Sequence, residues 1–429
     1  MNKTIALYEQ DHYLKTCDST LISAITKEDE LDSLGIKTLG PTACLILDRT
    51  VFFPEGGGQP SDTGTISGEF GTFEVIYVFI KDDIIYHQIK LPEDGLNDNF
   101  FASAAGKQVS CRIDWEKRFF HMQRHCGEHI LSAVFYDLYG GVNRGFHMGS
   151  DYMTIDISLE NDPKFTHMND EMIITAEWEA NRMVWDNLPV TVRHFDSKKE
   201  AESLPMRKAL EIEEDIVLVC VGDENKASGC VACCGTHPRY TGEVGIIKMY
   251  KWENYKGMVR ITFDAGPNAL KSCQSDGEIL KKLCVRYSSE PDALLTNIKK
   301  RDDKNSEIRQ ELYELKQVHF SQESEKITEG LKNGGSVFIK KYDILKTDDL
   351  LKISKQLDNV PSDRLVALVS LKENTLILLS GGDQDCNKIV KDNASVWNGK
   401  GGGRPNSSRA MFPTAEDMDC FLDYLKKAY

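Results

Sequence analysis

Apolar residues fall in short runs over residues 1–105, with polar and turn-forming residues between the runs. Ala43-Cys44-Leu45-Ile46-Leu47-Asp48 and Thr72-Phe73-Glu74-Val75-Ile76-Tyr77-Val78 have strand composition, because β-branched and aromatic side chains suit a pleated, half-buried surface. The period changes at Arg112. Trp115, Phe119, Met122, Cys126, His129 and Ala133 recur at spacings of three and four, which predicts one face of a helix. Strand-like runs return at Tyr152–Ile157, Asp215–Cys220, Val244–Tyr250 and Val259–Phe263, with a helix predicted over 170–187 among them. Mixed strands and helices of this kind predict an α+β domain over 106–268. Residues 269–325 are helical and charged. Leu294, Ile298, Arg301, Asn305, Ile308, Leu312, Leu315 and His319 follow a heptad register with polar core positions, which suits a spacer helix or a short coiled coil. Residues 326–429 read as a last α/β unit, with buried strands at Leu365–Val369 and Thr375–Leu379.

Composition narrows the class. The chain has 429 residues, 41% hydrophobic and 28% charged, the profile of an ordinary multidomain globular protein. No run approaches the roughly 18 apolar residues of a membrane span. The opening residues lack the apolar core of an export signal, so a cytoplasmic location is expected, with the 12 scattered cysteines as thiols rather than a disulfide framework. A net charge of −15 opposes indiscriminate nucleic-acid binding. It leaves room for a local basic groove.

Candidate chemistry concentrates in two segments. His125-Cys126-Gly127-Glu128-His129 places two imidazoles four residues apart, one helical turn apart on a single face. Cys233-Cys234-Gly235-Thr236-His237 repeats the spacing with a thiol and an imidazole. A set of three nitrogens and one sulfur suits zinc better than magnesium or calcium. Two ambiguities stand at this level. His121 makes a second four-residue pair with His125, and Cys230, Cys233 and Cys234 compete for the sulfur position. Two glycine-rich segments add further candidates. Gly56-Gly57-Gly58-Gln59 permits close backbone approach to a ligand or a tight turn, and it lacks the ending of a phosphate-binding P-loop. Lys400-Gly401-Gly402-Gly403-Arg404 reads as a phosphate-holding loop or as a structural turn.

These landmarks, in this order, resemble the stand-alone alanyl-tRNA editing proteins of the AlaX family. The matching pieces are Phe53 through Pro60, His125 through His129, Cys233 through His237 and Gly401 through Pro405. The sequence departs from the family pattern at Cys126, where Thr is frequent, and at Pro238, where Val is frequent. The closest form carries a DHHA1-type C-terminal domain like that of alanyl-tRNA synthetase. The resemblance implies an α+β fold in four parts: a small β-barrel with the glycine-rich loop (1–105), a zinc-binding editing domain (106–268), a helical spacer (269–325) and a tRNA-binding or dimerisation domain (326–429).

It also implies an activity and a site. The activity is ATP-independent deacylation of mischarged tRNA(Ala), chiefly Ser-tRNA(Ala) and next Gly-tRNA(Ala), by zinc-assisted attack of water on the aminoacyl ester. Alternatives are editing of another mischarged tRNA, or a non-catalytic tRNA-binding protein of the same fold. His125, His129, Cys233 and His237 carry over as the Zn2+ ligands. Gln59 and Thr236 join the histidines as catalytic candidates, Thr236 as a reader of the serine hydroxyl. Gly56, Gly57, Gly58 and Gln59 are expected to grip the aminoacyl group or terminal adenosine, and Lys400, Arg404 and Arg409 to contact tRNA. The heptad segment and final domain are compatible with a homodimer.

Overall fold

The computed structural model describes residues 3–35, 41–92, 100–159, 167–333, 335–357 and 359–429. The chain divides into two units, residues 1–280 and 281–429.

In the first unit, six antiparallel strands close a barrel: β1 (Thr16–Ile25), β2 (Thr42–Leu47), β3 (Gly64–Gly68), β4 (Gly71–Lys81), β5 (Ile84–Lys90) and β6 (Gln108–Ile113). Their order around the barrel is β1-β2-β5-β4-β3-β6, with β6 returning to β1. Closure removes the sheet edges. Leu21, Leu45, Leu47, Ile66, Val75 and Val109 fill the interior.

Helix α1 (Trp115–Tyr139) follows directly. Asp114 caps it by accepting from the Lys117 amide at 3.1 Å, and Gly140 ends it in the left-handed region at φ 61°. These are the stop and start signals such a helix needs. Its apolar face, including Cys126, Ile130, Leu131, Val134 and Phe135, packs with Ile155, Ile157, Ile261 and Phe263. Those last four lie on a four-stranded sheet built from β7 (Val142–Met148), β8 (Met153–Ser158), β12 (Ile247–Tyr255) and β13 (Met258–Ala265), in the order β12-β13-β8-β7. Helix α2 (Asp170–Trp185) joins the same core through Ala176, Ala180 and Val184. A three-stranded sheet, β9 (Val190–Ser197), β10 (Glu214–Val221) and β11 (Cys230–Ala232), completes the unit.

Two features here depart from the sequence-based expectation. The strand predicted from Val244 begins at Ile247, because Thr241–Val244 forms a 3-10 turn closed by Gly245 at φ 84°. Cys220 and Cys230, directly opposite each other on β10 and β11, form a disulfide rather than two thiols. Strand pairing brought these residues together, which their separation in sequence does not reveal.

The expected helical segment is two helices, α3 (Pro267–Tyr287) and α4 (Pro291–Asn333). The break falls at Ser288, which is left-handed at φ 49°, and Pro291 opens the next helix, where its missing N–H costs nothing. Heptad positions Ile308, Leu312 and Leu315 are exposed. Further along α4, Phe320, Ile327 and Leu331 are buried against the second unit's own sheet. That sheet has five strands: β14 (Val337–Tyr342), β15 (Leu365–Ser370), β16 (Thr375–Ser380), β17 (Lys400–Arg404) and β18 (Ser407–Met411), in the order β14-β15-β16-β18-β17. β14 and β15 are parallel and the other pairs antiparallel. The Lys400–Arg404 segment, expected as a phosphate-holding loop or a structural turn, is therefore an edge strand. Its Gly403 amide is already committed to Asn387 Oδ1 at 3.0 Å.

Candidate metal centre and its cavity

Four of the sequence-predicted ligands converge. The candidate ligand atoms of His125, His129, Cys233 and His237 all lie within 4.8 Å of one another. The two histidines come from adjacent turns of α1, with ring centroids 4.8 Å apart. Cys233 follows β11 directly, and its amide donates to the Val217 carbonyl at 3.0 Å, which extends the pairing with β10 by one residue. Its Sγ lies 3.4 Å from His125 Nε2 and 3.8 Å from His237 Nε2. The turn between Cys233 and His237 depends on Gly235. A Cβ there would sit 2.3 Å from His125 Cε1 and 2.9 Å from Gln59 Oε1. Of the competing candidates, His121 is buried but stands outside the cluster. Cys234 is exposed and likewise outside it.

The hydrogen bonds around the rings fit a cation. Gln59 Oε1 accepts from the Thr236 amide at 3.0 Å, while Gln59 Nε2 meets Thr236 Oγ1 at 2.8 Å. That fixes the amide orientation, so His125 Nδ1, 2.9 Å from the same Oε1, carries a proton and leaves Nε2 as a lone pair. On the second histidine, Nδ1 lies 2.7 Å from Glu128 Oε2. His129 Nε2 is buried without any hydrogen-bond partner, an arrangement that costs free energy unless something electrophilic fills it. An amide behind His125 and a carboxylate behind His129 match the usual support of a metal-binding imidazole. Without a cation, burial favours the neutral forms of His125, His237 and Cys233. Burial, reinforced by the His129 ring, lowers His125 to about 3. Burial with His125 and His129 holds His237 well below its ordinary value, and burial pushes the Cys233 thiol up. A divalent ion reverses that logic by favouring the thiolate.

Two buried ion pairs set the position of α1. Arg118 donates to both Asp62 oxygens and to the carbonyls of Val51 and His12, tying the helix to the barrel. Six residues on, Arg124 forks onto Asp264 at 2.7 and 3.0 Å, tying it to β13. His12 in turn accepts from the His237 amide at 2.9 Å. Burial lowers His12 to about 4, which keeps this acceptor neutral.

The cluster opens onto a cavity of about 390 Å3, within the size range of small-ligand sites. Its buried part carries His125, His129, Glu128, Asn143 and Arg207, and its exposed lip carries Arg144, Lys208, Ile212 and Asp215. Glu128 is engaged on every side. Ser132 Oγ and Asn143 Nδ2 donate to Oε1 at 2.6 and 2.7 Å. Although burial opposes ionisation, His129 and Arg207 hold the carboxyl far below its ordinary range. Arg207 fixes itself by donating to the carbonyls of His129 and Ser228. Phe146 stacks beside His125 at 5.6 Å between ring centroids.

The glycine-rich loop is a tight turn and also a cavity wall. Gly56 and Gln59 exchange backbone hydrogen bonds at 3.1 and 2.9 Å. Gly57 and Gly58 between them have φ of 58° and 80°, the geometry of a type I′ turn. Gly57 lines the cavity, and a Cβ at Gly58 would strike the Phe146 ring at 2.8 Å. Gln59 and Thr236 are placed differently from expectation. Both are fully buried behind His125, and their polar groups are spent on each other and on that ring, so neither presents a group to the cavity. Lys400, Arg404 and Arg409 lie in the second unit, exposed on the hairpin of β17 and β18. Because Arg409 is paired opposite Gly402, the three share one sheet face.

The family described as tRNA synthetases class II (A) matches residues 2–117. Over 434 aligned residues the chain is 28% identical to the alanyl-tRNA editing protein AlaX-L of Pyrococcus horikoshii, covering 98% of each. The resemblance to the alanyl-tRNA editing proteins is end to end. Alanine–tRNA ligases match as well: that of Methanobrevibacter smithii is 29% identical over 92% of this chain, and that of Methanoregula boonei 30% identical over 88%. The chain spans only 43% and 40% of those two ligases.

Several residues of the site carried no signal in the sequence. Glu128 lies inside the His125–His129 segment but its role as a hydrogen-bond acceptor from His129 is visible only in space. Asn143, Arg207 and His12 are each isolated polar residues without a motif, and long-range packing alone brings them to the ligands. No helix among the described residues is long and apolar enough to cross a membrane.

Proposed function

We propose that this protein hydrolyses the ester joining a wrong amino acid to tRNA(Ala), chiefly serine and next glycine, at a Zn2+ site formed by His125, His129, Cys233 and His237. The observation that carries this reading is the convergence of four N/S donors beside a cavity, in a chain aligned end to end with an alanyl-tRNA editing protein. The chemistry explains the need for such an activity. A pocket built for alanine rejects serine poorly, since serine merely adds a hydroxyl, and glycine is smaller still.

A bound zinc would supply Lewis acidity at the ester carbonyl and a more acidic water. The chain's own residues do the rest. Gln59 and Glu128 each hold one imidazole in the tautomer that offers Nε2. The paired Arg118–Asp62 and Arg124–Asp264 hold α1 against barrel and sheet, so the donors are organised before substrate arrives. Phe146 packs beside the His125 ring and Gly57 lines the cavity next to it, so both bound the space in which the ester would lie. As water adds to the carbonyl carbon, the bond to the ribose oxygen breaks and that oxygen leaves with a proton. The basic face of Lys400, Arg404 and Arg409 in the second unit, read as the DHHA1-like domain, is assigned to the tRNA backbone.

The test is deacylation of purified Ser-tRNA(Ala), Gly-tRNA(Ala) and Ala-tRNA(Ala), with and without chelator. Serine release that chelator abolishes, with Ala-tRNA(Ala) spared, is expected. Equal rates on Ser-tRNA(Ala) and Ala-tRNA(Ala), or no hydrolysis of any, defeats the reading.

A further inference from the structure

Three of the residues lining the cavity are cations, Arg144, Arg207 and Lys208, in a chain whose net charge is −15. On so acidic a protein such a cluster is a local feature rather than a general one. The three come from two separate places in the chain: Arg144 lies on β7, and Arg207 and Lys208 lie between β9 and β10. Arg207 is buried and spends its Nη1 on two carbonyls, so it contributes charge from beneath. Arg144 and Lys208 are exposed at the lip. Of the two carboxylates in the lining, Glu128 is committed to His129, Ser132 and Asn143 in the floor, and Asp215 is exposed on the lip, which therefore carries two cations against one carboxylate. Loss of water around Lys208 lowers its ammonium from the ordinary value, with Glu128 opposing. An ammonium in that condition gains from an anion.

The geometry of the ligand then matters. An ester carbonyl at the cluster puts the attached nucleoside within the cavity, and the polynucleotide must leave over the exposed lip. The first anionic group on that path is the phosphate directly 5′ of the terminal nucleoside. We infer that Arg144 and Lys208, backed by Arg207, form an anion seat that binds this phosphate and so sets the aminoacyl ester at the metal cluster. The inference rests on the proposed deacylase reading and names the part of the substrate that the cavity lip recognises. Positioning by a single remote charge is a way of spending binding energy on orientation at the reacting bond.

The experiment uses the full-length protein and Ser-tRNA(Ala) made in two forms. One has the native phosphodiester before the terminal adenosine; the other has a neutral methylphosphonate there. Each is assayed with the parent protein and with the double variant Arg144→Ala/Lys208→Ala, both substituted residues being exposed. In the parent, the neutral linkage is expected to lower kcat/KM about five- to tenfold, the size of one charge contact in partly screened surroundings. In the double variant the two substrates should differ less than about twofold, with a salt dependence flatter by about one contact or two. A parent that hydrolyses both forms equally overturns the inference while leaving the deacylase reading intact. So does a double variant that still discriminates as strongly as the parent. A parent that hydrolyses neither form defeats the deacylase reading, and the inference with it.

Discussion

Replacing Gln59 with Leu should weaken metal binding without touching a ligand. Leu fills a similar volume but offers no acceptor. His125 Nδ1–H and the Thr236 amide then lose the Oε1 they share at 2.9 and 3.0 Å, and the Thr236 hydroxyl loses its partner at 2.8 Å. Gln59 is fully buried, so water cannot replace these bonds at little cost. Each orphaned buried donor costs about 1–3 kcal/mol, which puts the metal-free protein about 2–6 kcal/mol below the parent. Loss of the group that fixes a ligand's tautomer typically weakens metal affinity about 10–100-fold. Gln59→Glu is the paired control, since a carboxylate keeps both acceptor positions and should retain affinity. The assay is competition for zinc against a chromophoric chelator at neutral pH, with thermal melts of the metal-free proteins alongside. Gln59→Leu binding zinc as tightly as the parent, or Gln59→Glu losing affinity as severely as Gln59→Leu, would refute the role given to Gln59.

Further outcomes follow from the same structure. His129→Ala and Cys233→Ala should each lose bound metal and deacylase activity together, checked by metal analysis of the purified proteins; full activity in a verified metal-free protein counts against the mechanism. His87 is fully buried, with Nδ1–H donating to the Leu45 carbonyl and Nε2 accepting from Thr50 Oγ1, and burial lowers it to about 4. The unfolded chain takes that proton near pH 6.5, so stability is present above 6.5 and drains away as pH falls to about 4, by about 3 kcal/mol for this group. Urea titrations of His87→Gln should show a shallower acid limb in that window. Asp62→Ala leaves Arg118 buried and unpaired, so its midpoint should fall by the equivalent of about 3–5 kcal/mol. Dithiothreitol should lower the melting temperature of the parent but not of Cys220→Ala/Cys230→Ala, because closing a loop of 10 residues is worth about 3 kcal/mol in the chain-entropy account.

Much of the fold could be read locally. The spacing of Trp115, Phe119, Met122 and Cys126 gave a helix that spans Trp115–Tyr139, and the Leu365 and Thr375 runs became buried strands. Where the local reading failed, a nonlocal partner had intervened. Lys400–Arg404 looks like a loop from its glycines, yet Ser407–Met411 pairs with it as a strand. The cysteines look unpaired until β10 and β11 place Cys220 opposite Cys230. Thr236 looks like a hydroxyl for substrate, but Gln59 lies 177 residues away in sequence and 2.8 Å away in space.

The amino-acid sequence alone determined which atoms can bind a metal, since residue type sets donor chemistry and a spacing of four sets a shared helix face. It also determined the turn at Gly57 and Gly58, because few side chains tolerate that backbone. Tertiary structure alone decided that the two donor pairs meet. That meeting depends on α1 being pinned by Arg118 to the barrel and by Arg124 to β13, and on β11 pairing with β10 so that Cys233 arrives beside His125. Tautomers, cavity walls and the cationic lip are likewise products of packing, because each is a relation between residues that no local periodicity encodes.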